Sequence, residues 1–260
     1  MMPKLQKGQW ALVTGASSGI GEHFAYGLAE KGLNVILLGR DEAALRRVAA
    51  TIETKHPVKM EIVRCDLTQE LRKAVGILQE FDVDLLINNA GVAFYGKFLE
   101  REPSRYREMI ELNITVLTEL AFQAGKRMVE KRRGGVINVG SVAGFFPVAN
   151  FAVYAATKAY VHSFSLSLWA EWKRYNVHVL YVAPGPTRTR FFERSRNGLQ
   201  RPKDSPGVMD PEIVARASLT AYEHNKVVYV PGWRNRLGPL FVRRFFSDWM
   251  VAQFTEKSYR

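Results

Sequence analysis

Seven short apolar runs recur along this chain and constrain its fold more than any other feature. They are Trp10–Val13, Val35–Leu38, Met60–Val63, Leu85–Ile87, Val136–Val139, Val177–Val182 and Val227–Val230. Most are apolar at successive rather than alternate positions. Strands of that kind are buried on both faces, as in a parallel sheet covered by helices. The segments between them carry helix punctuation. Ile20–Lys31 stops at Gly32, Asp41 precedes Glu42–Lys55 with Pro57 beyond it, and Thr68 precedes Gln69–Glu80. Pro103 opens a long helical segment that ends at Lys131-Arg132-Arg133 and Gly134-Gly135. Asp210-Pro211 reads as an N-cap followed by proline in the first turn. The alternation predicts an α/β, Rossmann-type, doubly wound, mostly parallel seven-stranded sheet with helices on both faces. The 260 residues are read as one domain, 1–260. Such sheets bind ligands at the carboxyl ends of their strands, so functional motifs should follow strands.

The first run leads into Thr14-Gly15-Ala16-Ser17-Ser18-Gly19-Ile20-Gly21. Glycine permits the tight turn and leaves room for a pyrophosphate, while the following helix points free N–H groups at it. Ser17 and Ser18 add hydroxyls. The second run ends at Leu38-Gly39-Arg40. An acidic residue there would hold a ribose 2′-hydroxyl; an arginine suits a 2′-phosphate, so NADP(H) is expected over NAD(H). Tyr154 and Lys158 stand four apart in a helical segment and share a face. A free phenol has a pKa of about 10, and bringing it to neutral pH takes about 4 kcal/mol, which a neighbouring ammonium helps to supply.

Taken in order, these motifs resemble the short-chain dehydrogenase/reductase family, in the subfamily with the G-x-x-x-G-x-G turn. The likeness spans residues 8–190. It includes Asp66-Leu67 after the third strand, Asn88-Asn89-Ala90-Gly91 after the fourth, Asn113 in the long helix, and Ser141 after the fifth. Tyr154-Ala-Ala-Thr-Lys158 and Pro184-Gly185-Pro186-Thr187-Arg188-Thr189 complete it. The resemblance implies an NADP(H)-dependent oxidoreductase moving a hydride to or from a carbonyl/alcohol carbon. Tyr154 would be the acid/base, Ser141 would orient the substrate oxygen, Lys158 would lower the Tyr154 pKa, and Asn113 would hold a proton relay. It also implies a cofactor site of Gly15, Ser17, Ser18, Gly19, Ile20, Gly21, Arg40, Asp66, Leu67, Asn89, Ala90, Gly91, Tyr154, Lys158, Pro184, Gly185, Thr187 and Thr189.

In this family the substrate pocket forms after the fourth and fifth strands and beyond Pro184. Those stretches are aromatic here, and Phe94, Phe145, Phe191 and Phe192 are expected to contact an apolar acyl, steroid-like or aromatic substrate alongside Ser141. Residues 187–212 are read as a substrate lid, basic at Arg188, Arg190, Arg194, Arg196, Arg201 and Lys203. Residues 233–260 form a basic, aromatic tail, with Val242, Phe245, Phe246, Trp249 and Met250 at helical spacing over Leu237–Phe254. That tail could close the pocket, join an interface or touch an anionic membrane. The resemblance also implies a homodimer or homotetramer, often through the helix of Tyr154, where Trp169 and Trp172 lie.

The net charge of +12 is met by a basic surface and an anionic cofactor. No zinc-finger, helix-turn-helix or RNA-binding aromatic motif stands out, so no nucleic-acid partner is expected. None of the five histidines shows metal-ligand spacing, and no metal is expected. Cys65 is the single cysteine, which excludes an intrachain disulfide. With neither a signal-like leader nor a long apolar span, a cytoplasmic protein is expected. The competing reading is a catalytically silent NADP-binding regulator, or a membrane-surface protein, on the same fold.

Overall fold

The structure is a computed structural model and describes residues 5–191, 207–237 and 245–258. Seven strands form one sheet: β1 (Trp10–Thr14), β2 (Asn34–Gly39), β3 (Met60–Arg64), β4 (Val83–Asn88), β5 (Gly134–Val139), β6 (Val177–Val182) and β7 (Val228–Tyr229). Their order is β3-β2-β1-β4-β5-β6-β7, and every pairing is parallel. The chain winds outward from β1 to β3, then returns to place β4 against β1. Their carboxyl ends diverge into the crevice where ligands of such sheets bind.

The successive apolar residues of each strand serve two cores. Ala11, Val13, Val35, Leu37, Leu85 and Ile87 face α1 (Gly19–Glu30), α2 (Glu42–Glu53) and α7 (Pro211–Glu223). Leu12, Ile36, Leu38, Leu86 and Val136 face α3 (Leu71–Glu80), α5 (Leu117–Lys131) and α6 (Ala152–Trp172). Leu12, Ile36, Leu38 and Leu86 are 0% exposed, and each buried side chain of this kind contributes about 1.5–3 kcal/mol.

Capping follows the sequence at Asp41, which accepts from Ala44 N at 3.0 Å, and at Asp210, which accepts from Glu212 N at 2.9 Å. It departs at Thr68. The Asp66 carboxylate captures Thr68 N and Oγ1 in a turn, so α3 starts only at Leu71. The long segment after Pro103 is not one regular helix. It runs as α4 (Pro103–Ile110), a π-helical stretch (Glu111–Val116) and α5. Such π-turns frequently mark functional sites.

The tail helix α8 spans Asp248–Ser258; of the expected helical stretch Leu237–Phe254, residues 238–244 lie outside the described residues, and helix is interrupted at Phe246-Ser247. Val251 and Thr255 are buried, and Thr255 Oγ1 accepts from Ala149 N at 3.1 Å, so this face docks on the body of the protein. Phe245, Phe246, Trp249 and Met250 stay exposed; Val242 lies outside the described residues. Among the described residues no helix is long and apolar enough to cross a membrane.

Candidate active site

The glycine turn is built by close approach. Gly19 has φ +62°, and a Cβ on it would sit 2.9 Å from Thr189 Cγ2. Gly21 does not face the cavity as expected of a cofactor contact. A Cβ there would collide with Gly15 O and Asn89 Nδ2, so its smallness lets the turn fold onto β4. Asn89 Nδ2 donates to Thr14 O at 2.9 Å, and Thr14 Oγ1 accepts from Asn89 N and Ala90 N, both at 2.9 Å. These bonds tie the ends of β1 and β4 together.

A cavity of about 910 Å³ opens above the joint. Every other expected cofactor residue lines it: Gly15, Ser17, Ser18, Gly19, Ile20, Arg40, Asp66, Leu67, Asn89, Ala90, Gly91, Tyr154, Lys158, Pro184, Gly185, Thr187 and Thr189. Arg40 is exposed at the β2 end, 3.9 Å from the Asp66 carboxylate. At the other end lie Ser141, Phe94 and Phe191, joined by Phe146, Val148, Phe151 and Thr255. The rings of Phe151 and Phe191 stand 5.5 and 5.9 Å from that of Tyr154, giving the phenol an apolar surround.

Phe145 does not belong to the cavity. It packs with Leu117, Val161 and Ala183, its ring 5.0 Å from His162 and 5.9 Å from Tyr181. The turn after β5 rotates Phe146 into the site instead. Phe192 and the lid basics Arg194, Arg196, Arg201 and Lys203 lie outside the described residues. The two ends of that segment are pinned, since Arg188 N donates to Met209 O at 2.8 Å and Met209 N to Pro186 O at 2.9 Å.

Tyr154 and Lys158 are both buried on α6. Burial pushes the Tyr154 phenol up to about 12, opposed only by a hydrogen bond with the Ser141 hydroxyl. Among the protein's own groups, burial therefore outweighs the lowering expected from Lys158. The same desolvation pulls the Lys158 ammonium down to about 8. Its Nζ donates to Val139 O at 2.9 Å and lies 5.8 Å from the Tyr154 ring centre. Asn113 is buried in the π-helical stretch beside α6. Its Nδ2 donates to Val92 O (2.9 Å) and Thr157 Oγ1 (3.1 Å), and its Oδ1 accepts from Val92 N (3.0 Å). With its amide so engaged, the side chain clamps the loop after Gly91 to α6.

The sequence matches the short chain dehydrogenase family over residues 9–200. The chain belongs to that family. A very-long-chain 3-oxoacyl-CoA reductase of Coprinopsis cinerea is 34% identical over 241 residues, covering 89% of this chain and 70% of the relative. A short-chain dehydrogenase from Sphingobium yanoikuyae, solved in complex with NADPH, superposes with a TM-score of 0.83 at 33% identity, covering 91% of this chain and 93% of that one. The bulky-bulky ketone specific alcohol dehydrogenase of Comamonas testosteroni gives 0.79 at 30% identity, covering 91% and 92%. This short-chain dehydrogenase is an oxidoreductase by family.

Proposed function

We propose that this short-chain dehydrogenase uses NADPH to reduce the carbonyl of a bulky apolar ketone, with Tyr154 giving the proton. The observation that carries the reading is the meeting of Tyr154, Ser141 and Lys158 in one cavity whose far end holds Arg40. The residues fit the nucleotide. The turn at Gly19 and Gly21 admits no side chain, the N-terminus of α1 opens onto the cavity, and Arg40 offers a guanidinium to a 2′-phosphate. A bound nicotinamide supplies hydride to a carbonyl carbon.

The chain's own groups do the rest. A phenol held near 12 stays protonated at neutral pH, yet it is far more acidic than the alcohol it would form, so Tyr154 is suited to be a proton donor. Ser141 Oγ orients the substrate oxygen and stabilises charge developing on it. Lys158 holds the nicotinamide ribose and faces the site with a cation. Phe94, Phe146, Phe151 and Phe191 exclude water from the reacting atoms.

The Coprinopsis and Comamonas relatives support a substrate with large groups on both sides of the carbonyl. A 3-oxoacyl thioester belongs to that class, and Arg105 and Arg190 on the cavity wall suit its anionic end. NADPH and NADH oxidation should be followed with 3-oxoacyl thioesters, bulky diaryl or steroid ketones, and small ketones. Turnover of the bulky classes with NADPH supports the reading; turnover restricted to small ketones or to NADH overturns it.

We also propose self-association through α5 and α6. Trp169 and Trp172 pack inward beside α5, so the exposed apolar groups there are Phe122 and Tyr160.

A further inference from the structure

Ser141 lies just past β5. Gly140 N donates to Val182 O at 2.7 Å and Val142 N to Pro184 O at 3.1 Å, so the residues on either side turn their amides to β6 and the chain that follows it. Ser141 is extended, with φ −165° and ψ 156°, and directs its own N–H and C=O the opposite way. On that side the pairing of β4 with β5 has already ended, at Asn88 with Asn138. The Tyr181 hydroxyl takes the place of the missing strand. It accepts from Ser141 N at 3.3 Å and donates to Ser141 O at 2.9 Å, where Gly144 N also donates at 3.0 Å.

The phenol is itself immobilised. Tyr181 is 0% exposed, its ring lies 4.9 Å from that of His162, and a Cβ on Gly140 would run into it. Burial raises its pKa well above the ordinary tyrosine range, so it remains a donor across working pH. A purely apolar side chain would fill this niche on β6 equally well. The hydroxyl is what reaches the serine.

We propose that Tyr181 is a positioning residue, fixing the Ser141 backbone so that the serine hydroxyl meets Tyr154 and the substrate oxygen. This rests on the reading of Ser141 as the substrate-orienting group. A double-mutant cycle tests it with NADPH and a bulky ketone, using Tyr181→Phe, Ser141→Ala and the double variant. Tyr181→Phe keeps the ring and should lower kcat about tenfold or more, as expected for loss of the hydroxyl's two hydrogen bonds to Ser141, with NADPH affinity unchanged. In the Ser141→Ala background the same change should lower kcat no further. Nicotinamide fluorescence on binding reports that each variant is folded. Full activity in a folded Tyr181→Phe variant overturns the proposal, as does an equal loss in both backgrounds. If Ser141→Ala alone is fully active, the assignment of Ser141 falls first and this inference with it.

Discussion

Lys158 offers the sharpest test of the site's electrostatics, because its burial makes a stability difference that depends on pH. The side chain is 4% exposed, and desolvation takes it from the ordinary 10.5 to about 8. At 1.36 kcal/mol per tenfold, keeping it charged in the folded protein costs about 3 kcal/mol below pH 8. Between pH 8 and 10.5 the unfolded chain binds more protons at this position than the folded one. The group's contribution to stability therefore rises with pH through that window, and the penalty returns as pH falls through about 8. Lys158→Met removes the charge while keeping the bulk. It also leaves Val139 O without its donor, a pH-independent loss of about 1–3 kcal/mol. Tyr154 and all other groups are common to both proteins and cancel in the difference. Urea unfolding of both proteins at pH 7 and near pH 10 is the assay. The stability of the Met variant relative to the parent should be about 2–3 kcal/mol more favourable at pH 7 than near pH 10. A difference that does not change with pH would show that Lys158 is not desolvated and would refute the reasoning.

Arg40→Ala should weaken NADPH binding about ten- to a hundredfold through loss of a charge-assisted contact, and leave NADH nearly unchanged. Fluorescence titration with both nucleotides checks it, and equal losses would contradict the role. Thr255→Trp places a large ring at the cavity wall from α8. It should raise KM for bulky ketones and spare small ones; unaltered kinetics with bulky ketones would remove α8 from the pocket.

The strands were legible because a sheet covered on both faces leaves uninterrupted apolar runs, as at Leu85–Ile87 and Val177–Val182. The cofactor end was legible for a related reason. Its residues cluster in short stretches that closely follow strands, so Gly15, Ser17 to Ile20, Asp66-Leu67 and Asn89 to Gly91 fall on one cavity together. The substrate end was less so. Beyond Val139 the strand period stops, and nothing local says that Phe146 rather than Phe145 turns inward. Thr255 reaches the cavity from more than a hundred residues beyond Ala149, a contact with no local signal. The π-turn around Asn113 changes the hydrogen-bond ring without changing composition. Tyr181 reads as one more apolar strand residue until its hydroxyl is seen on Ser141.

The central claim is that Tyr154 delivers the proton, and Tyr154→Phe tests it most directly. The substitution removes one hydroxyl and keeps the ring against Phe151 and Phe191. NADPH oxidation with a bulky ketone should fall roughly 10²- to 10⁴-fold while NADPH still binds. Turnover preserved in a folded, NADPH-binding variant would contradict the claim.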